Sequence, residues 1–418
     1  NGHLCTLRYI GPLDAWPNFT AYGVEWDDPS RGKHDGEHDG KKLFECRVEG
    51  SGSFLKSTKR FDKLSTFVEV VNDLYVNGEK LTNAVGGDLI SIGSKVLEKV
   101  GFDKDINLMR LENISVSQRG VTDISYFYDL HIGKKHNAIL AEALRQDKEK
   151  IQKLGLTNLK SLDLGYNLIS DFSYVSHLIS VFEETLESII LNGNRFEISF
   201  QIDDLRKSFE NIHHLSLSAT LVTNEDLQLL GHLFPKVKSL NLSMNQLQLE
   251  EIINLSHWTS LEMLDLSYNK LTATKLNQAR LPSSLRKLNL SNNHIADRLL
   301  LPVSIMNNLL DLNISYNLIS DWKCVEYLGC VNSELKNLRI NNNPIYTRAL
   351  AEQNSNTLPL KASVGIIALE RLNGRAITPL DKQDAELYFI SKVSNRFIRI
   401  EDFDPLNSNR WKELAAKY

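Results

Sequence analysis

Cysteine is scarce: the chain carries four, Cys5, Cys46, Cys324 and Cys330, scattered over 418 residues. That count rules out a disulfide-stapled scaffold, and a reduced, cytoplasmic setting fits it best. No apolar run is long enough to cross a bilayer, so no membrane partner is expected. An excess of one charge is also missing. Lys and Arg total 48 against 52 Asp and Glu, a net −4, which gives no sign of a nucleic-acid partner. The phosphate-binding pattern G-x-x-x-x-G-K-[ST] is absent. No paired nucleophile and base emerges, and the His213-His214 doublet has no evident companion. An enzyme on this scaffold is therefore the remote reading, and no cofactor is expected.

What the chain does have is repetition. Leu159, Leu162, Leu164, Asn167 and Ile169 set the template L-x-x-L-x-L-x-x-N-x-L. The Asn position recurs at Asn194, Thr220, Asn245, Asn269, Asn293, Asn317 and Asn343, at intervals of 27, 26, 25, 24, 24, 24 and 26 residues. This is a leucine-rich repeat. Each repeat supplies a short strand whose leucines face one way, and neighbours must stack to bury them. The Asn amide, donor and acceptor at once, can join turns in a ladder, and Thr220 breaks the row by losing or replacing one donor. Between the leucines, Asp163, Ile190, Ser216, Asn241, Asp265, Asn289, Asn313 and Arg339 face the concave side. That polar, smooth face carries no ligand cluster and is expected to dock a macromolecule. Leu111, Ile114, Val116, Arg119 and Val121 form an atypical first repeat, with Arg in the Asn place.

Residues 1–60 have another texture. Gly23-Val-Glu-Trp26, Gly32-Lys33-His34-Asp35-Gly36, Phe44-Glu-Cys46 and Gly52-Ser-Phe54-Leu55-Lys56 are short apolar pieces cut by Gly and Asp. They predict tight turns and short strands, hence a small β-barrel. A Gly-Lys-x-Asp-Gly loop flanked by aromatic rings can take a chain terminus: backbone N–H groups and Lys attract a carboxylate, and rings hold the last side chain. A metal site built on His34, Asp35, His38 and Asp39 is the weaker reading of the same loop, which is better taken as a solvated turn.

These motifs resemble the CAP-Gly domain. The fold class expected for the chain is accordingly multidomain: a small SH3-like all-β barrel, then an α/β leucine-rich-repeat solenoid with helical caps. The resemblance implies recognition of an acidic C-terminal tail ending Glu-Glu-Tyr or Glu-Glu-Phe, as on α-tubulin. Position by position, Gly32 to Gly36 would form the loop, and Lys33 and His34 would meet the terminal carboxylate. Trp26, Phe44 and Phe54 would line the groove, and Lys56 would favour the acidic side chains. His34 stands where the family usually has Asn, and Ala21 where it commonly has Trp.

The remaining boundaries follow. Residues 61–105 read as a linker, with a helix over 61–75, a strand over 88–92 and a lead-in over 94–100. Residues 106–345 are the repeats, interrupted by a helix near 136–153 whose Arg145, Asp147, Lys148, Glu149 and Lys150 should be solvated. Residues 346–418 close the solenoid: a strand and turn over 366–377, then a helix over 381–393 with Asp381 as N-cap, then a tail. Taken together, this domain order resembles the tubulin-specific chaperone E family, in which a ubiquitin-like domain follows a similar ending; a following domain is expected here too. The resemblance implies a cytoplasmic, cytoskeleton-associated protein that binds α-tubulin. It would help assemble and dissociate the α/β-tubulin heterodimer, with tubulin cofactor D, tubulin cofactor C and an Arf-like small GTPase as partners. A CAP-Gly microtubule adaptor without chaperone activity is the alternative within binding proteins; it should carry tandem modules or a long coiled coil, and neither is visible.

Overall fold

The structure, a computed structural model, describes residues 3–61, 64–77, 108–122, 137–196, 202–247, 253–296, 303–320, 324–325, 328, 334–345, 369–394 and 409–418. The expected strand over 88–92, the lead-in over 94–100 and the start of the closing strand segment lie outside them.

Alternating short apolar runs give the N-terminal unit its strands. β1 (Cys5–Pro12), β2 (Thr20–Trp26) and β5 (Gly52–Lys56) form an antiparallel sheet in the order β1-β2-β5. β3 (Glu37–His38) and β4 (Lys41–Lys42) form a separate hairpin. Its turn, Asp39-Gly40, has φ of 49° and 76°, the mirror-image geometry that matches strand twist and suits Asp-Gly. The expected barrel is thus a three-stranded sheet plus a ribbon, not a closed barrel. The Gly-rich stretch between β2 and β5 goes into turns, which leaves too little extended chain to close the sheet.

The repeats build an eleven-stranded sheet, in chain order from β6 to β16. Its strands are β6 (Asn113–Ser115), β7 (Ser161–Asp163), β8 (Ser188–Ile190), β9 (His214–Ser216), β10 (Ser239–Asn241), β11 (Met263–Asp265), β12 (Lys287–Asn289), β13 (Asp311–Asn313) and β14 (Asn337–Arg339). β15 (Arg371–Leu372) continues the parallel row, and β16 (Arg375–Ala376) folds back on it through Asn373-Gly374, again with both φ positive. In every repeat strand the central residue, such as Leu162, Leu240 or Leu338, is buried while its neighbours face out.

Repeat length tracks what returns the chain. The 27-, 26- and 25-residue intervals hold helices of eight, eight and ten residues: Phe172–Ile179, Ile202–Phe209 and Asn224–Leu233. Later 24-residue intervals hold shorter ones, Ala273–Gln278 and Val303–Met306. Under the longer helices Phe172 packs on Phe196 with ring centroids 4.2 Å apart, and Phe209 on Phe234 at 4.6 Å.

The Asn ladder is built as the donor and acceptor count requires. Asn269, fully buried, donates through Nδ2 to Leu242 O at 2.9 Å and Leu266 O at 3.1 Å. Its Oδ1 accepts from Asn245 N at 2.9 Å and Leu247 N at 3.3 Å. Thr220 has one hydroxyl hydrogen. It reaches Leu217 O at 2.8 Å within its own repeat, and among the described residues it makes no bond back to the preceding row.

Three expected details change. The helix over 61–75 begins only at Phe67, because Thr66 and Glu69 form a reciprocal capping box, and it widens to a π-turn over Asn72–Val76. The long helix spans Asn137–Lys153, but Asp147 on its supposedly solvated face is buried, with His177 Nε2 at 3.4 Å from its carboxylate. Asp147 lies one turn from Ala143 and one from Ile151, on the same side of the helix. Finally, Asp381 is not the N-cap of its helix, Pro379–Ser394. Thr378 stands before that helix and Asp381 is the third residue in, the two exchanging bonds of 3.1 and 3.3 Å.

Candidate functional site

The N-terminal unit concentrates its aromatic side chains around one missing side chain. Gly23, in the middle strand, pairs with Tyr9 of β1 and Phe54 of β5. A Cβ at Gly23 would lie 2.4 Å from the Phe44 ring and 2.8 Å from Tyr9. Its absence admits Phe44, which meets Phe54 edge to face with centroids 5.4 Å apart; Tyr9 meets Phe54 at 6.2 Å.

The Gly32–Gly36 loop is stitched onto β5 beside this cluster. Lys33 N donates to Gly52 O at 2.7 Å, and Gly52 N donates to His34 O at 2.7 Å. Gly36 is buried with φ 92°, where a Cβ would fall 2.0 Å from Phe44 O. Only glycine can pass there. Asp35 accepts from Gly50 N, fastening the loop to the turn before β5.

His34 lies over Phe54 at 4.9 Å and edge-on to Phe44 at 6.1 Å, and His38 closes on Phe54 from another side at 5.9 Å. Gly36 N donates to His34 Nδ1 at 3.0 Å. The neutral ring therefore carries its proton on Nε2. Burial pushes the His34 pKa below the ordinary imidazole value, with His38 and Lys33 pulling the same way against Asp35 and Glu37. Lys33 is exposed, and its ammonium has no partner among the described residues. One exposed cation and one imidazole N–H donor thus sit beside the ring cluster, an arrangement suited to a carboxylate attached to an apolar or aromatic group.

The other expected site residues are placed differently. Trp26 ends β2 with the Arg31 guanidinium 4.8 Å over its ring, apart from the Phe44–Phe54 pair. The Lys56 ammonium rests over Trp16 at 5.4 Å and Phe19 at 5.0 Å. Sequence reasoning passed over Tyr9, and over the role of Glu25. Strand pairing alone points to Tyr9, opposite Gly23. Glu25 is buried and accepts from Arg8 Nε and Arg47 N, both at 2.8 Å, and from Val48 N at 3.1 Å, so it anchors the turn that leads into β5.

On the solenoid, Asp163, Ile190, Ser216, Asn241, Asp265, Asn289, Asn313 and Arg339 fall in one register across the sheet. Several use their polar atoms on the framework: Asp265 Oδ1 accepts from Ser267 N at 2.8 Å, and its Oδ2 accepts from Asn289 Nδ2 at 2.8 Å. Arg339 stands exposed at the edge of a shallow concave groove of about 480 Å³ that also takes in Lys287. Among the described residues, no group of three His, Cys, Asp or Glu could hold a metal ion. None of their helices is long and apolar enough to cross a membrane. Burial, with Asp27 adding to it, pushes the Cys5 thiol up to about 11, and Cys46 is also raised by burial. Neither is poised as a nucleophile.

Residues 1–60 match the CAP-Gly domain family. The chain is 30% identical over 264 residues to Protein PAC2 of Saccharomyces cerevisiae, covering 61% of this chain and 46% of that protein. Tubulin-specific chaperone E of Danio rerio is 26% identical over 287 residues, 63% of this chain and 50% of that protein. The human protein of the same name is 30% identical over 184 residues, 43% of this chain and 30% of its own length. The chain spans about half the length of the first of these curated relatives. Among solved structures, the leucine-rich repeat-containing protein LegL7 of Legionella pneumophila aligns at a TM-score of 0.38 and 18% identity, covering 61% of this chain and 96% of that one. Internalin C2 of Listeria monocytogenes aligns at a TM-score of 0.35 and 18% identity, over 56% and 92%.

Proposed function

We propose that this chain is a non-enzymatic tubulin-folding cofactor that captures the acidic C-terminal tail of α-tubulin at the Gly32–Gly36 loop. The observation that carries the reading is the loop itself: exposed Lys33 and the half-buried His34 ring beside the Phe44–Phe54 pair. The CAP-Gly match and the relatives named tubulin-specific chaperone E support it. The terminal carboxylate would meet Lys33 and His34, and the last aromatic side chain would lie against the ring cluster. Trp26 and Lys56 would contribute at the margins, Lys56 by leaving its rings for the tail's acidic residues.

The solenoid's concave face, from Asp163 to Arg339, would dock the tubulin body or a partner cofactor. A tail held at one site raises the local concentration of the second contact, so two weak sites act together. Assembly and dissociation of the α/β heterodimer would then follow from tighter binding to the separated state than to the resting dimer. Tubulin cofactors D and C and an Arf-like GTPase would act with it in the cytoplasm, and nucleotide hydrolysis would belong to those partners.

The test is calorimetric titration with an α-tubulin tail peptide, with and without its final aromatic residue. Binding is expected to the complete peptide, and Lys33→Ala should weaken it by about tenfold or more. Equal binding of both peptides, or no effect of Lys33→Ala, would remove the loop from the mechanism.

A further inference from the structure

The N-terminal unit touches the solenoid at the Asn194 row, next to the row where Thr220 interrupts the Asn ladder. In four rows, the carbonyl two residues after the ladder position accepts a backbone N–H from the next repeat. Leu168 N reaches Val121 O, His294 N reaches Leu271 O, Leu318 N reaches Ile295 O and Ile345 N reaches Ile319 O, all at 2.8–2.9 Å. The equivalent carbonyl of the Asn194 row is Phe196 O. The residue that would supply its backbone donor, Leu221, has φ of 60°, as Gln246 and Lys270 have 55° and 58° in the two rows that follow. Phe196 O instead accepts from Arg47 Nη2, 149 residues away in the N-terminal unit, at 3.0 Å.

One residue earlier, Arg195 makes the complementary contact. Its Nη2 lies 3.3 Å from Asp27 Oδ2, and the two side chains are only 17% and 22% exposed. Its Nη1 donates to Ala219 O at 2.6 Å, so the guanidinium is held by the very row that lacks the amide. The residues that follow the ladder position in the neighbouring repeats are Leu168 and Leu221, and later Gln246, Lys270, His294, Leu318 and Pro344. Arginine occurs there once.

We propose that Arg195, Phe196 and Ala219 form a built-in seat for the N-terminal unit of the same chain, a two-point polar clamp of Arg195 on Asp27 and Arg47 on Phe196 O that makes the two units one body. Contacts between domains of one chain are usually mobile unless large and apolar. Here tethering supplies a high local concentration, so two charge-assisted bonds in a half-buried setting suffice. Burial pushes the Asp27 carboxyl up, Arg195 pulls it back in part, and Glu25 adds to the rise. The seat would hold the Gly32–Gly36 loop at a fixed distance from the concave face. This consequence rests on the proposed tail capture; the seat does not.

The experiment is amide hydrogen exchange on the whole free chain, without tubulin. The readout is taken across the interface, because Arg195 also bonds its own solenoid. Arg195→Ala should raise exchange about tenfold in residues 25–28 and 46–48 of the N-terminal unit. Arg47→Ala and Asp27→Asn should each do the same at residues 194–197. The Asp27→Asn/Arg195→Ala double variant should exchange no faster than the worse single variant. Changes confined to the mutated side, or additive effects in the double variant, would overturn the seat. Tail-peptide affinity, measured in parallel, should be the same in all variants. Loss of peptide binding in the unaltered chain would count against tail capture and leave the exchange result to decide the seat.

Discussion

At the residue scale, donor arithmetic separates residues that look alike in the sequence. His34 has one ring nitrogen committed to Gly36 N–H, and protonation would put two donors face to face. Its pKa is lowered by burial. The stability this contributes is complete above the unfolded imidazole value of about 6.5, and is lost as pH falls below that value toward the folded one. Nitrogen NMR of the imidazole should show the Nε2–H form at pH 7 and a midpoint below about 6.5. A proton on Nδ1, or a higher midpoint, contradicts the arrangement. The ladder gives a second comparison. Asn269→Ala strips three carbonyls and two N–H groups of a buried partner, and should cost roughly 3 kcal/mol or more in urea unfolding. Thr220→Asn offers a second donor and a longer acceptor to the preceding row, and should gain up to about 1 kcal/mol. An Asn there that destabilised the chain would show that the gap is required as it stands.

At the scale of elements, most of the solenoid was legible, since a repeat of 24–27 residues assigns each leucine to the core and each ladder position to a turn. Legibility stopped where a contact depends on two distant segments. Arg47 and Phe196 have no local pattern in common, and Lys56 could not be placed over Trp16 and Phe19 from spacing. Asp147 was within reach, because it shares a helix side with Ala143 and Ile151, but its charge outweighed its position. In the loop, glycine was read as a turn former, while the structure gives different reasons at different positions. Gly36 and Gly40 both have positive φ, yet a Cβ at Gly36 meets Phe44 O at 2.0 Å and one at Gly40 meets nothing within 4 Å. Gly40→Ala should therefore cost about 1–2 kcal/mol, the left-handed penalty alone. Gly36→Ala must also displace the Phe44 backbone and should abolish tail-peptide binding. Calorimetric melting and peptide titration of the two variants separate these effects; equal losses would mean that the close approach to Phe44 is not what glycine serves.

At the scale of the whole molecule, a stacked sheet holds each strand only through its neighbours, so its stability is a sum of local terms. β11 sits in the interior of the row, and its Leu264 is 3% exposed. Leu264→Ala removes about 2–5 kcal/mol from one row and from the two interfaces it shares. In a globular core that loss would lower a single transition. In this architecture it should uncouple the rows before β11 from those after it. Urea unfolding followed by hydrogen exchange should then show residues 285–345 opening at lower urea than residues 159–242. The earlier rows carry the Phe172–Phe196 and Phe209–Phe234 packing and the contact with the N-terminal unit, which the substitution leaves intact. Tail-peptide binding should survive the first transition, because the Gly32–Gly36 loop belongs to the half that stays folded. A single coincident transition for all rows would mean that the solenoid and its caps behave as one cooperative unit, and that the local accounting does not hold for this chain.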